Sequence, residues 1–167
     1  MNASQKEALF KLAPLSVTIS DWISAKCKFL GKEGYMFPSI ILADLLHESD
    51  YLNWPLSKDF YSIGYNKNNK EVLRYANNIT RIESNSDWSG KEIELDGIKY
   101  KSYRDWMHFA SDYSDTLCFT DTYDRMLKCN NILKQIELYS KFKKQPLVYQ
   151  AKIETLIQFY YLREVDE

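Results

Sequence analysis

Apolar positions recur along this chain at helical spacing, with one short exception. Ile19, Trp22, Ile23, Cys27 and Leu30 form a stripe at intervals of three and four, which predicts an amphipathic helix over 16–30. Pro14 marks its front edge, and Gly31 closes it in a left-handed cap. Phe37 to Tyr51 follows a different pattern. After Pro38 and Ser39, the residues Ile40, Ile41, Leu42, Ala43, Leu45 and Leu46 cover almost the whole circumference of a helix over 38–48. A helix apolar on most sides is buried on most sides. A proline suits its first turn, where the missing N–H has no helical partner anyway.

Residues 53–89 are the least regular. They hold Asn-rich stretches, a short helix is an expectation near 70–77, and Pro55 blocks continuation of the preceding helix. The exception to helical spacing is Lys91 to Tyr103. There apolar and charged residues alternate on either side of Asp96-Gly97, a favoured two-residue turn. That turn would place Leu95 opposite Ile98, Glu94 opposite Lys99 and Ile93 opposite Tyr100.

Three further helices are expected. One spans 103–117 on Trp106, Phe109, Ala110, Tyr113 and Leu117. Another spans 121–142 on Met126, Cys129, Leu133 and Ile136, with Thr120 or Asp121 as its cap. The last spans 147–162 on Ile153, Leu156, Ile157 and Tyr160, behind Pro146. No internal repeat appears. The pattern predicts one domain over 1–167, α+β but predominantly helical, with a small β-hairpin lobe at about 53–103.

Composition narrows the chemistry. A net charge of −1 and a pI near 6.2 argue against a nucleic-acid binder. The basic run Lys141-Phe142-Lys143-Lys144 reads as a solvated helix end. No apolar run approaches the roughly 18 residues that span a bilayer. The first residues lack the apolar core of a signal peptide, so the expectation is cytosolic synthesis or excision from a longer secreted protein. Cys27, Cys118 and Cys129 show no metal-ligand spacing and read as buried free thiols. One disulfide among them would leave an odd thiol. Two histidines, no completed HExxH, no Gly-rich phosphate loop and no GxSxG speak against metal, nucleotide or serine-hydrolase chemistry, so no metal and no cofactor are expected. At 15% of the chain, aromatics are abundant enough to stack on sugar rings as well as fill a core.

The candidate chemistry lies at Glu48. Ile41, Leu45 and Glu48 share one face of the apolar helix, so the carboxyl loses water, and desolvation favours its proton-carrying form. A general acid needs that state. Such an acid should open into a cleft, with no lysine or arginine pinning it.

Pro38-Ser39, Ala43 and Glu48-Ser49 stand at spacings that resemble glycoside hydrolase family 73, the glucosaminidase domains of autolysins, flagellar muramidases and phage lysins. Asp50-Tyr51 replaces the family's Gly-Trp. Asp59-Phe60-Tyr61-Ser62-Ile63 resembles its Asn-Leu-Phe-Gly-Ile segment, without the Asn and Gly. Trp88-Ser89-Gly90-Lys91 resembles the entry to its hairpin. Tyr100-Lys101-Ser102-Tyr103 with Asp112-Tyr113, and Tyr149 through Leu162, keep the register of its later segments, with Gln150 where an alanine is usual.

The resemblance covers roughly residues 10–165. It implies a lysozyme-like helical body and a peptidoglycan hydrolase cleaving the β-1,4 link from N-acetylglucosamine to N-acetylmuramic acid, acting at the cell wall as a monomer. Glu48 would be the acid. Glu94, with Glu92 as its rival on the same strand face, would be the second carboxylate. Tyr149 would be a groove tyrosine orienting the sugar or that carboxylate, and Ser49, Tyr51, Tyr61 and Tyr103 would contact substrate. Retaining, inverting and substrate-assisted routes all stay open. So do muramidase or lytic transglycosylase action, and a catalytically silent glycan-binding module of a phage tail or secretion machine.

Overall fold

The computed structural model describes residues 1–52, 74–76, 91–95, 98–102, 106–119 and 121–167, with side chains for 1–52, 107–119 and 121–167. Helix α1 spans Ala3–Phe29, α2 Pro38–Glu48, α3 Trp106–Cys118, α4 Asp124–Leu127, α5 Ile132–Ser140 and α6 Pro146–Phe159. Short 3₁₀ turns lie at Asp121–Tyr123 and Leu162–Asp166. Helix α1 packs on α2 and α3, α5 packs on α6, and α2 also meets α6 and the C-terminal turn.

The α+β expectation, with a lysozyme-like body and a β-hairpin lobe, is corrected to a helical fold. Of the residues described with their side chains, 76% are helical and none is in a strand. Backbone pairing is described for β1 (Arg74–Ala76), β2 (Lys91–Leu95) and β3 (Ile98–Ser102), with Ile93 opposite Tyr100, Glu94 opposite Lys99 and Leu95 opposite Ile98. Among the described contacts these strands meet each other, with no extensive packing against a helix. Among the described residues they therefore add no second layer to the helical core. The short helix expected near 70–77 is also corrected, because the backbone at 74–76 is extended and pairs with β3.

The first helix begins well before the expected edge. Asn2 and Gln5 form a reciprocal capping box, and Pro14 lies inside the helix. Stripe residues Ala8, Leu12 and Leu15 in the first half are buried, so packing outweighs the one hydrogen bond a mid-helix proline removes. The single helix expected over 121–142 is broken at 128–131. Asn131 accepts from the Lys134 N–H and starts α5 anew, and local side-chain capping wins over propensity there. Leu133 is consequently exposed rather than on the core stripe.

Two buried polar side chains fasten the approach to α2. Gln135 Oε1 accepts from the Phe37 N–H at 2.9 Å, and its Nε2 donates to the carbonyls of Tyr35, Met126 and Cys129. Ser20 Oγ donates to the Met36 carbonyl at 2.6 Å. Asp166 caps α2 by accepting from the Ser39 N–H at 2.7 Å and from Ser39 Oγ at 2.8 Å. Gly34 lies hard against Cys27, where an added Cβ would stand 2.3 Å from Sγ. We expect Gly34→Ala to lower stability by about 1–3 kcal/mol through overpacking, measured by urea denaturation. An unchanged midpoint would show that the sulfur yields freely.

Candidate functional site

Helix α2 carries two carboxylates one turn apart, Asp44 and Glu48. Asp44 is completely buried in the core, while the Glu48 side chain at the helix end is 23% exposed. Three tyrosines from three helices converge on Asp44. Tyr113 of α3 and Tyr139 of α5 donate to Oδ2 at 2.9 and 3.1 Å, and Tyr149 of α6 donates to Oδ1 at 2.5 Å. Lys143, just past α5, adds its ammonium to Oδ1 at 3.3 Å. Burial, followed by the Asp44 charge, holds all three phenols well above their ordinary pKa, so they remain donors. Such a set of donors suits a carboxylate anion in a place with little water.

Lys143 also reaches Glu48, with Nζ 3.6 Å from Oε1. Its side chain is only 11% exposed, and its ammonium lies 4.8 Å from the ring centroids of both Tyr139 and Tyr149. Two expectations are corrected here. Lys143 is not part of a solvated helix end, because the tyrosine rings cover its stem and the carboxylates draw in its head. Nor is Glu48 free of the bridge it was expected to lack, because Lys143 pairs with its carboxylate.

That neighbour does not fully claim Glu48. One ammonium serves two carboxylates, and Asp44 holds it at the shorter distance along with three phenols. Burial first, and then the Asp44 charge, raise the Glu48 carboxyl while Lys143 opposes both, and the net result is a value of about 7. Two neighbouring carboxylates cannot both ionise cheaply, and the one with fewer hydrogen-bond donors, Glu48, keeps its proton. Burial also lowers the His47 pKa, and its ring lies 5.7 Å from Tyr149. His47 is thus neutral at pH 7 and adds no competing cation.

Of the other residues singled out from the sequence, Ser49 ends α2. Its Oγ donates to the Leu45 carbonyl at 2.6 Å and accepts from the Leu52 N–H at 3.0 Å. Asp50, Tyr51 and Leu52 then follow with φ of 46°, 54° and 64°. Aspartate tolerates this left-handed region better than most side chains, which lets Asp50 stand where the resembled family has glycine. Tyr51 is half-buried, and burial with a Tyr160 hydrogen bond raises its phenol to about 12. Tyr149 is buried, with its hydroxyl turned to Asp44.

Glu92 and Glu94 are placed by backbone only, on β2 opposite Lys101 and Lys99. Tyr61 and Tyr103 lie outside the described residues, as do the segments around Asp59 and Trp88. Sequence reading missed Asp44, Tyr113, Tyr139 and Lys143 as site residues. The available signal was Asp44 itself, a charge inside an otherwise apolar helix, because a fully buried carboxylate must collect partners.

Among the described residues no group of three or more His, Cys, Asp and Glu side chains is placed to hold a metal ion, and no helix is long and apolar enough to cross a membrane. A groove of about 530 Å³ runs between α5, α6 and the C-terminal turn, lined by Ile132, Ile136, Ile157, Tyr161 and Arg163 among others; Glu48 is not among its lining residues.

No family model matches the chain, and no curated protein does. A solved structure is similar to it: the catalytic domain of the autolysin Auto from Listeria monocytogenes. The match has a TM-score of 0.58 and 11% identity, and covers 99% of this chain and 89% of that one. At that identity the likeness is one of fold. The chain has the fold of an autolysin catalytic domain.

Proposed function

We propose that this protein is a peptidoglycan hydrolase that uses Glu48 as its general acid, and that it cleaves the glycosidic bond from N-acetylglucosamine to N-acetylmuramic acid. The observation that carries this reading is the Glu48 carboxyl: partly exposed at the end of a buried helix, it keeps its proton up to about 7. The autolysin fold and the family 73 resemblance supply the substrate class, and wall glycan supplies the place of action.

Hydrolysis starts with protonation of the departing glycosidic oxygen by Glu48. Once the proton has left, Glu48 is an anion 3.6 Å from an ammonium, so Lys143 stabilises the charge that develops. Asp44 acts in the opposite sense and keeps the resting acid protonated. The second carboxylate is Glu94 on β2. We expect Glu94→Gln to lower the rate of wall digestion by about two to four orders of magnitude. The same loss in Glu92→Gln, with Glu94→Gln near wild type, would move the assignment by one strand repeat.

Mass spectrometry of digested wall tests the bond. New reducing ends on N-acetylglucosamine support the proposal. Muramic acid reducing ends indicate a muramidase, and anhydro-muramoyl ends a transglycosylase. The Lys143 contact to Glu48 favours a second reading, a module that binds glycan without cleaving it. Wild-type protein that sediments with wall but releases no sugar would establish that reading.

A further inference from the structure

Two thiols that the hydrolytic site does not use face each other across the seam between α1 and α3. Cys27 and Cys118 are both completely buried, 91 positions apart in sequence, with their sulfurs 3.6 Å apart. Cys118 Sγ also lies 3.6 Å from the Ile23 carbonyl. Gly34 closes the other side, because any larger residue there would meet the Cys27 sulfur. The seam around them is pinned. Lys26 donates to the Ser111 carbonyl at 3.2 Å and Ser114 Oγ at 2.8 Å and pairs with Asp115, while Lys32 pairs with Asp124 at 2.8 Å. The native packing thus holds two sulfur atoms in contact, and Gly34 backs the Cys27 sulfur from the other side.

From this geometry we infer that Cys27 and Cys118 are a modification site, a pair that a small disulfide such as oxidised glutathione converts into an intramolecular disulfide. The chemistry balances without any other reactant. One protein thiolate attacks a sulfur of glutathione disulfide, forming a mixed disulfide and releasing one glutathione thiolate. The second protein sulfur, losing its proton, attacks the first, forms the Cys27–Cys118 bond and releases the second glutathione. Two electrons leave the pair, and the two protons end on the two glutathione thiols. Cys129 is half-buried, with Sγ 3.4 Å from the Asn131 carbonyl, and remains the odd thiol.

The surroundings also set when this happens. The thiolate is the attacking species, and burial pushes the Cys118 thiol well above its ordinary pKa despite the nearby charges of Lys26 and Lys32. In the closed protein Cys118 is therefore held as the thiol, and neither buried sulfur is open to a reagent. Oxidation belongs to the folding chain or to an opened state, and the packed seam then seals the product. The bond would join α1 to α3 and enclose α2, with Glu48, in one covalent ring. The unfolded ensemble would be constrained accordingly.

The test uses the full chain with Cys129→Ser, so that two thiols remain. After reduction and denaturation it is refolded with a mixture of reduced and oxidised glutathione. The expected product is about 2 Da lighter than the reduced chain and resists alkylation in denaturant. It should melt about 5 °C or more above its reduced form. Folded reduced protein in the same mixture should oxidise far more slowly, and faster as urea is added. Two alkylatable thiols after refolding, glutathione adducts with no internal bond, or an oxidised form that melts below the reduced one would each overturn the assignment. None of these readouts depends on wall hydrolysis.

Discussion

Replacing Glu48 with glutamine should remove wall clearing almost completely, by about three to four orders of magnitude in rate, and should make the protein more stable above neutral pH. The two effects share one cause. The folded carboxyl is held up to about 7 against an ordinary value of 4.5. Between these values the native state binds a proton that the unfolded chain has released. Glu48's contribution is therefore fully present below about pH 4.5 and is lost as pH rises through about 7, a loss of about 3 kcal/mol. Glutamine carries no proton to lose, so the variant should gain on wild type by about that amount at pH 8. Wild-type clearing should fall across the same upper limb, because the acid is then ionised. Turbidity clearing and urea denaturation at pH 5 and pH 8 measure both. Wild-type activity in the glutamine variant would end the enzymatic role of this residue.

Removing the Asp44 charge should move the pH dependence. In Asp44→Asn the nearest anion is gone and Lys143 turns wholly to Glu48, so the acid ionises more easily. We expect the alkaline limb of clearing to shift downward by on the order of one pH unit. Lys143→Met should shift it upward, because the lysine is what opposes the raised pKa of Glu48. Asp44→Ala tests the structural side. It strands three phenols and an ammonium that now share one carboxylate, at a cost of about 3–5 kcal/mol. Carbon NMR of the Glu48 carboxyl across pH follows the shift directly, without relying on turnover. Coincident titration curves in Asp44→Asn, Lys143→Met and wild type would show that neither residue sets the proton affinity of Glu48.

The bounds of α2 were legible because a proline at its first turn and an unbroken apolar run leave little choice for 38–48. The left-handed turn at Gly31 was legible too, with φ of 73°. The beginning of α1 was not, since Pro14 reads locally as a boundary and becomes tolerable only once Leu12 and Leu15 are buried. The break at 128–131 was hidden because the apolar period continues through it, while Asn131 settles the matter by capping. The α+β reading failed for a related reason. Alternation at 91–103 is a signal about pairing between neighbouring strands, and pairing by itself builds no layer against helices.

The candidate site divides along the same line. Sequence periodicity alone determined that position 48 ends an apolar helix, and hence that its carboxyl is short of water, because both facts follow from residues within one local element. Only tertiary structure brought Lys143 between Glu48 and Asp44 and turned Tyr113, Tyr139 and Tyr149 onto one carboxylate. Those partners lie 69 to 105 positions away from Asp44 along the chain. Proton affinity depends on charges and donors within a few ångströms in space, and helix packing sets those distances.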